Sequence, residues 1–296
     1  MNSVPLDSFR LARYARSVSC FICGEENLYD ADRCRHCRAP LALTYQIANQ
    51  KRPPRMMAVL APPGSGKTVY LGIVTDILAR RDGAGQLTAR GAFSVALWQA
   101  AVTNLTEGWY PQSTHDDPSG WSWVHCRLAG ALRRPVEVIV PDISGRAMER
   151  ELECPHSQPF LNIVLRKCGG AAILLDAGRL AQGDRAPDFF ALKCITYLSE
   201  LNTTRRGWSS RPIAIVLSKS DAAPDAFTDP RKFLRRCAPG TWHQIREHLQ
   251  TVAFFATATT AGTAWQRVNG ARVAFPLRVE PRGVVEPIEW LIPRLR

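Results

Sequence analysis

The stretch that most constrains how this chain can fold is Ala61-Pro-Pro-Gly-Ser-Gly-Lys-Thr68. An apolar run at 56–61 leads into it with the length of a buried strand, and the segment after it, 69–80, carries apolar residues at helical spacing. A glycine-rich loop between a strand and a helix directs successive backbone N–H groups and a helix N-terminus at one point, and both attract anions. The stretch therefore predicts a phosphate-binding P-loop, although Ala61 stands where the strict motif has glycine.

Each part of such a loop has an expected task. The phosphate donors would be the backbone amides of Gly64, Ser65, Gly66, Lys67, Thr68 and Val69. Pro62 and Pro63 have no N–H group, but they precede these donors. The Lys67 side chain would reach the β- and γ-phosphates, and the Thr68 hydroxyl would bind Mg²⁺. The alternative is a glycine-rich turn before an ordinary helix, which the Gly-Lys-Thr sequence disfavours.

Four of the nine cysteines have the spacing of metal ligands. They form two Cys-x-x-Cys pairs, Cys20 with Cys23 and Cys34 with Cys37. Two such pairs can close a tetrahedral Cys₄ site around Zn²⁺, and zinc would supply most of the folding free energy of so short a segment, on the order of 10 kcal/mol. The segment at 18–42 resembles a zinc ribbon. A redox role for one pair is the alternative, disfavoured because no strand-helix-strand unit surrounds the pairs.

Composition bounds the domain organisation and the partners. We expect an N-terminal arm at 1–17, the zinc ribbon at 18–42, a linker at 43–53 and a P-loop domain at 54–296. No signal-peptide core or membrane-length apolar run occurs, and five single cysteines fit a reducing compartment, so we expect a cytoplasmic protein that binds no membrane. The net charge of +12 suits an anionic partner, but the arginines are scattered, which disfavours nucleic acid.

Two aspartates follow predicted strands and are candidates for the metal-side carboxylate. Asp142 follows a strand at 135–140, which we expect to pair antiparallel with one at 122–129, and Gly145 stands three positions later. An aspartate there can hold Mg²⁺ through water, and the glycine lets a backbone N–H approach a γ-phosphate. Asp176, at the end of a strand at 171–176, is the second choice. Its successor is alanine, where an ATPase would carry the glutamate that activates water.

A base-reading motif follows the apolar run at 212–217. Ser218-Lys-Ser-Asp221 matches the guanine-specifying Asn/Thr-Lys-x-Asp motif, with Ser218 in the first place. The Asp221 carboxylate can accept hydrogen bonds from the N1–H and exocyclic amine of guanine, which adenine cannot offer, while the Lys219 stem would cover the base. The alternative is a solvent-facing Lys and Asp in a strand-end turn.

A final strand at 252–256 ends in Thr257-Ala258, where a Ser-Ala loop would close over guanine O6. Further along, Asn269-Gly270 between alternating residues predicts a hairpin. The buried runs alternate with helical segments, which predicts an α/β fold with a mainly parallel sheet and helices on both faces.

The P-loop, the Asp142 to Gly145 segment, the Ser218 to Asp221 segment and Thr257-Ala258 occur in the order seen in the TRAFAC GTPases, and the chain resembles that class over about 54–296. With its zinc ribbon and a Pro-x-x-Thr segment at 111–114 it is most similar to the bacterial double-GTPase group. The resemblance implies a Ras-like P-loop NTPase fold that binds GTP or GDP with Mg²⁺. It also implies a switch protein that hydrolyses GTP, in a group often associated with conflict or signalling systems.

The resemblance also assigns the switches. Thr114 would be the first-switch threonine that binds Mg²⁺ and senses the γ-phosphate, with Ser113 as the alternative. Asp142 and Gly145 would open the second switch. We expect the neighbours of Thr114, which are His115, Asp116 and Asp117, on a hydrated loop surface rather than in the metal shell.

One departure from Ras-like enzymes bears on catalysis, since Arg146 stands where they carry the glutamine that orients the attacking water. Glu149, Glu151 or a partner's arginine are the remaining candidates, so we expect slow hydrolysis that a protein partner or self-association accelerates. The switch loops and the zinc ribbon would dock that partner. Two alternatives are an ATP-driven remodelling enzyme that uses Asp176, and a nucleic-acid-binding adaptor with a vestigial nucleotide site.

Overall fold

The computed structural model describes residues 17–48, 50, 52–130, 134–201, 207–268 and 270–295. The predicted N-terminal arm at 1–17 lies outside this part of the chain except for Ser17. The strands are β1 (Ser17–Ser19), β2 (Glu26–Leu28), β3 (Arg55–Met56), β4 (Ala58–Leu60), β5 (Leu87–Ala89), β6 (Trp123–Leu128), β7 (Val136–Pro141), β8 (Ala171–Asp176), β9 (Ile213–Ser218), β10 (Val252–Ala256), β11 (Ala258–Thr260), β12 (Thr263–Val268), β13 (Ala271–Pro276) and β14 (Val279–Arg282).

The helices are α1 (Leu41–Ala48), α2 (Lys67–Ala79), α3 (Phe93–Thr106), α4 (Gly145–Glu153), α5 (Pro159–Lys167), α6 (Ala177–Ala181), α7 (Ala186–Glu200), α8 (Asp225–Thr228), α9 (Pro230–Cys237), α10 (Pro239–His248) and α11 (Glu286–Leu291). None of the helices in the described ranges combines the length and the apolar character that a membrane crossing needs.

Two four-stranded sheets meet at the strand that precedes the P-loop. One has the order β10-β9-β8-β4 and is parallel throughout, and the other has the order β3-β7-β6-β5. Only Met57 separates β3 from β4; its N–H donates to Ile139 O (3.1 Å), while the next amide, of Ala58, donates to Gly170 O (3.1 Å) on the other side. The predicted mainly parallel sheet is confirmed, as is the antiparallel pairing of β6 with β7.

The buried strands divide the core between two layers. Every residue of β8 and β9 is buried. Successive side chains alternate between the faces, so Ile173 and Ile215 join one hydrophobic cluster while Leu174 and Val216 join the other. Helices α5, α7 and α10 contribute to the first cluster, and α2, α3 and α11 contribute to the second. The predicted placement of helices on both faces is confirmed.

The segment after the cysteines differs from the predicted linker at 43–53. Its first part belongs to α1, whose Leu41 and Leu43 have no solvent exposure and join the core cluster on one face of the sheet. Gln46 on the same helix binds His125 of β6, with 2.8 Å between Oε1 and Nδ1. The ribbon and its following helix therefore pack against the P-loop domain.

The hairpin predicted around Asn269-Gly270 is confirmed by the pairing of its two strands, while Asn269 itself lies outside the described residues. Strands β12 and β13 pair antiparallel, with Val268 opposite Ala271 and Trp265 opposite Ala274. A separate pair, β11 with β14, flanks the hairpin in sequence. Both pairs come after β10, the last strand of the parallel sheet.

Candidate functional site

The P-loop backbone adopts a conformation that depends on two glycines. Gly64 has φ 76° and Gly66 has φ 83°, in the left-handed region that side chains disfavour. Ser65 closes the loop by donating from Oγ to Pro62 O (2.7 Å). Helix α2 begins at Lys67, and Gly66 caps it without a side-chain hydrogen bond, so the first-turn amides are left for an anion.

Four polar side chains predicted from three separate motifs meet at the start of α2. Lys67 Nζ forms a buried ion pair with Asp142 Oδ1. Thr114 Oγ1 donates to Asp142 Oδ2 (2.8 Å), and Thr68 Oγ1 lies 3.2 Å from the same oxygen and 3.1 Å from Thr114 Oγ1. The structure therefore brings together Lys67 and the three side chains predicted to bind Mg²⁺.

This cluster suits a hard divalent cation. Its donors are two hydroxyls and one carboxylate, and Mg²⁺ prefers oxygen ligands completed by water and phosphate oxygens. Asp176, the second-choice carboxylate, makes other contacts: Oδ1 accepts from Arg179 N (3.0 Å) and Oδ2 pairs with Lys219 Nζ (2.7 Å). The donor set around Asp142 fits Mg²⁺, with Thr68, Thr114 and Asp142 as the residues that would hold it.

Gly145 lies directly against the P-loop. A Cβ at this position would come within 2.8 Å of Pro63 N and 2.9 Å of Ala61 O. Only glycine permits so close an approach without moving the backbone. The start of α4 is thereby held beside the segment that would carry the phosphates.

The loop after Thr114 is attached to α4. Asp116 Oδ1 accepts from Ser144 Oγ (3.0 Å), and Asp116 Oδ2 accepts from Arg150 Nη2 (3.0 Å). Asp116 is partly exposed, as a loop-surface residue would be, and Ser144 at the N-cap of α4 and Arg150 within α4 supply two hydrogen-bond donors that its local sequence does not indicate. His115 and Asp117 are exposed, as expected.

The charges of two arginines of the zinc ribbon act on Asp117. Its carboxylate accepts from Ser119 N (2.8 Å), and that hydrogen bond, assisted by the charges of Arg38 and Arg33, lowers the pKa of Asp117. The two arginines flank ligand positions Cys34 and Cys37 in the sequence. The ribbon is therefore an electrostatic neighbour of the loop that carries Thr114.

The residues that could replace the water-orienting glutamine differ in how deeply they are buried. Glu151 has no solvent exposure and accepts from Tyr197 Oη (2.6 Å) and from the amide of Gln158 (2.7 Å), which removes it from the candidates for activating water. Glu149 is partly exposed, and burial together with Glu153 raises its pKa. Arg146 is exposed.

The base-reading motif is tied to the P-loop through its first residue. Ser218 is buried, and its Oγ lies 3.1 Å from Ser65 O and 3.2 Å from Leu175 O. A serine hydroxyl can thus reach the P-loop backbone from this position. Lys219 follows with φ 53°, and its side chain is exposed while its ammonium group pairs with Asp176.

The remaining base-side residues are positioned by backbone contacts. Asp221 Oδ2 accepts from Gly262 N (3.1 Å). Thr257 and Ala258 are buried, with Thr257 N donating to Leu217 O (2.8 Å) and Thr257 O accepting from Ser220 N (3.0 Å). The ends of β9 and β10 are therefore joined where the guanine base would bind. The contact to Gly262 was not predicted, because no local pattern indicates it.

The four predicted zinc ligands form one cluster. Their sulfur atoms all lie within 4.8 Å of one another, with 3.6 Å between Cys20 and Cys37 and 3.5 Å between Cys23 and Cys34. A tetrahedral ion with Zn–S bonds of about 2.3 Å separates its ligands by about 3.8 Å, so the cluster can hold Zn²⁺. The hydrogen bond between Cys20 and Cys37 lowers the pKa of the Cys20 thiol and raises that of Cys37, because the two sulfur atoms share one proton.

Comparison with known proteins gives a family match over most of the chain. The model of the family described as Double-GTPase 2 matches residues 55–273. No curated protein matches the sequence.

Solved structures show remote likenesses. The chain is similar to a nucleolar GTP-binding protein 1 from Plasmodium falciparum at 9% identity and a TM-score of 0.39, over 71% of this chain and 79% of that one. It is similar to a small COPII coat GTPase from Encephalitozoon cuniculi in complex with GDP at 12% identity and a TM-score of 0.35, over 73% and 74%. The signal recognition particle receptor SRb-GTP/SRX complex from Chaetomium thermophilum matches at 15% identity and a TM-score of 0.38, over 70% and 92%.

Proposed function

The chain belongs to the Double-GTPase 2 family, and on that premise we propose that it is a GTP-binding switch that hydrolyses GTP slowly. We name residues 108–117 the first switch and residues 142–153 the second switch. One observation carries the proposal: the side chains of Thr114 in the first switch and Asp142 in the second switch contact each other, and both contact Thr68 of the P-loop. A γ-phosphate bound at that point would touch both switches.

The site residues would act as follows. Lys67 and the amides of 64–69 hold the phosphates, and Gly145 brings its backbone N–H beside them. Thr68, Thr114 and Asp142 hold Mg²⁺, which neutralises phosphate charge when bound. Loss of the γ-phosphate would remove a contact that Thr114 and Gly145 share in addition to their contacts within the chain, so the positions of both switches would be weakened together.

Asp116 links the two switches. Its carboxylate binds Ser144 and Arg150 at 3.0 Å each, so movement of the first switch pulls on α4. Ser144 also caps α4 by accepting from Ala147 N (3.3 Å). The start of α4 and the loop after Thr114 therefore have to rearrange as a pair.

Guanine is the proposed base. Asp221 can bind its N1–H and exocyclic amine, and a site built on that pair rejects a base that lacks it. The ATP-driven alternative is less supported, since Asp176 contacts Lys219 and caps α6 instead of contacting Thr68. The adaptor alternative is less supported as well, because the Lys67, Thr68 and Asp142 groups are assembled as a working site requires.

Hydrolysis is proposed to depend on a partner. Arg146 replaces the usual glutamine and Glu151 is sequestered in the core, so the water-orienting group would come from Glu149, from a protein partner or from a second copy. We propose a role in a bacterial conflict or signalling system, in line with the TRAFAC double-GTPase resemblance.

The test is displacement of a fluorescent guanine nucleotide by GTP, GDP and ATP, followed by a hydrolysis time course. We expect GTP and GDP to compete at least about 100-fold better than ATP, and turnover of the purified chain below about 0.01 per second. Asp221→Asn should remove the preference for guanine, whereas Asp225→Asn, which changes an exposed carboxylate paired with Arg236, should not. Equal competition by ATP would exclude the GTP switch.

A further inference from the structure

Tyr110 lies in the first switch, four residues before Thr114. Its hydroxyl nevertheless binds two threonines that flank the segment contacting Asp221. Tyr110 Oη is 2.8 Å from Thr263 Oγ1 and 3.3 Å from Thr260 Oγ1. A phenol can donate to one hydroxyl while it accepts from another. Tyr110 therefore bridges the end of β11 and the start of β12.

The segment between these two threonines holds the base-reading carboxylate. Gly262 donates its N–H to Asp221 Oδ2 (3.1 Å). Gly262 has φ 88°, and a Cβ there would also meet Leu277 Cδ1 at 3.2 Å, so the turn is specific to glycine. Movement of residues 260–263 would move the group that orients Asp221.

A second contact holds the first switch against the same hairpin. The Trp109 ring packs on Phe275 of β13, with ring centroids 4.7 Å apart and planes inclined by 52°. Aromatic pairs at this distance stabilise an interface beyond their buried area. Tyr110 is therefore positioned by a packed neighbour and is not a solitary surface contact.

We propose that Tyr110 is a positioning residue that couples recognition of the guanine base to recognition of the γ-phosphate. The proposal rests on the proposed GTP-binding function. When a triphosphate orders the first switch through Thr114, Tyr110 holds residues 260–263, and Gly262 then fixes Asp221 for the base. Linkage makes the effect reciprocal, so a base that satisfies Asp221 also favours the ordered first switch.

A measurable consequence is that the preference for guanine depends on the phosphate chain. Inosine nucleotides keep N1–H but lack the exocyclic amine, so they lose one of the two bonds to Asp221. The guanine-over-inosine preference should be about threefold to tenfold greater for triphosphates than for diphosphates, the worth of about one hydrogen bond.

The experiment measures four dissociation constants by calorimetry, for the imido-triphosphates and the diphosphates of guanosine and inosine. In Tyr110→Phe we expect the two preferences to become equal, because the bridging hydroxyl is lost. Thr263→Val should give the same result through the other partner, and the double variant should add nothing further. Tyr45→Phe is the matched control, since it removes a tyrosine hydroxyl that binds Tyr29 O in the ribbon region, and it should keep the wild-type difference.

Three outcomes would overturn the coupling: equal guanine preferences in the wild type, an unchanged difference in both Tyr110→Phe and Thr263→Val, or a uniform loss of affinity for all four nucleotides in those variants. The last would show that Tyr110 only supports the fold. Failure of the proposed function is distinguishable, because it would appear as wild-type protein that binds ATP as well as GTP.

Discussion

The zinc cluster and the nucleotide site differ in how far apart along the chain their residues lie. The four sulfur ligands lie between positions 20 and 37, whereas the nucleotide site draws on residues from Gly64 to Gly262. Local turns suffice to assemble the first, because each Cys-x-x-Cys knuckle is a short-range structure. The second exists only because neighbouring parallel strands end at the same edge of a sheet. The two regions should therefore fail in different ways.

Their separation is nevertheless incomplete. The ribbon cysteines and α1 share a hydrophobic cluster with α5 and α7, and the Phe21 ring of the ribbon lies 4.5 Å from Lys167 Nζ. Arg38 and Arg33 act on Asp117 of the first switch. Three sets of variants test how far a change in one region affects the other, from the largest expected effect to the smallest.

The largest effect is expected from removing a zinc ligand. Cys34→Ser should lower the free energy of unfolding by several kcal/mol, because zinc binding contributes on the order of 10 kcal/mol to a site of this kind. Zinc content and thermal unfolding measure the loss. Nucleotide affinity should change by less than about tenfold, since the contacts at that site among the described residues involve the P-loop, the switches and the base-side loops. Cys154→Ser, at an exposed thiol outside the cluster, is the control. A collapse of GTP binding in Cys34→Ser would show that the two regions form one unit.

The next effect is expected from Lys67→Ala, which should weaken both GTP and GDP at least about 100-fold while zinc content stays the same. Charge-assisted hydrogen bonds are worth about 1.5–3 kcal/mol each, and Lys67 would make them to two phosphates. Calorimetric titration measures the loss, with Lys193→Ala on the exposed side of α7 as the control. Retention of wild-type affinity would mean that the P-loop is not the phosphate site.

The smallest effect concerns pH at the contact between α1 and β6. Burial lowers the pKa of His125, and the charge of Arg90 lowers it further. Glu137, whose Oε2 lies 3.3 Å from His125 Nε2, acts in the other direction because it favours the charged imidazole. Because the folded state then binds the proton less readily than the unfolded state, the stabilisation is present above about pH 6.5 and is lost as the pH falls below it.

The slope should not exceed about 1.4 kcal/mol per pH unit for one proton. Urea unfolding at pH 7.5 and 5.5 measures it, and His125→Gln should flatten the difference between the two values. His243→Gln, at an exposed histidine, should leave the difference as in the wild type. An equal pH dependence in His125→Gln would mean that His125 does not control the docking of α1.

Fold elements were predictable where burial is uniform or periodic. The strands expected at 171–176 and 252–256 match β8 and β10 residue for residue. Helix α1 was missed because its Leu41 and Leu43 are buried by other parts of the chain, and the residues themselves alternate in a way that does not indicate a helix. Helices α4 and α5 were not predicted either.

Site residues were predictable where a motif states the chemistry locally. Lys67, Thr68 and Asp142 were named from short patterns, and the structure brings them into contact. Asp116 and Tyr110 were not assigned such contacts, since their partners lie 28 to 153 positions away in the sequence. Hydrogen bonds across such separations leave no periodic or spacing signal.

The sequence by itself determined the chemical inventory of this protein: a loop that can hold phosphates, a carboxylate that can read guanine, and four thiols spaced for zinc. Those properties depend on residue type and on spacings of a few positions. Only the tertiary structure decided that Asp142 rather than Asp176 contacts Thr68, and that Gly262 holds Asp221 while Tyr110 binds beside it. The physical reason is that a side chain's partner depends on which strand ends meet at the sheet edge, and the packing of both core layers sets that arrangement.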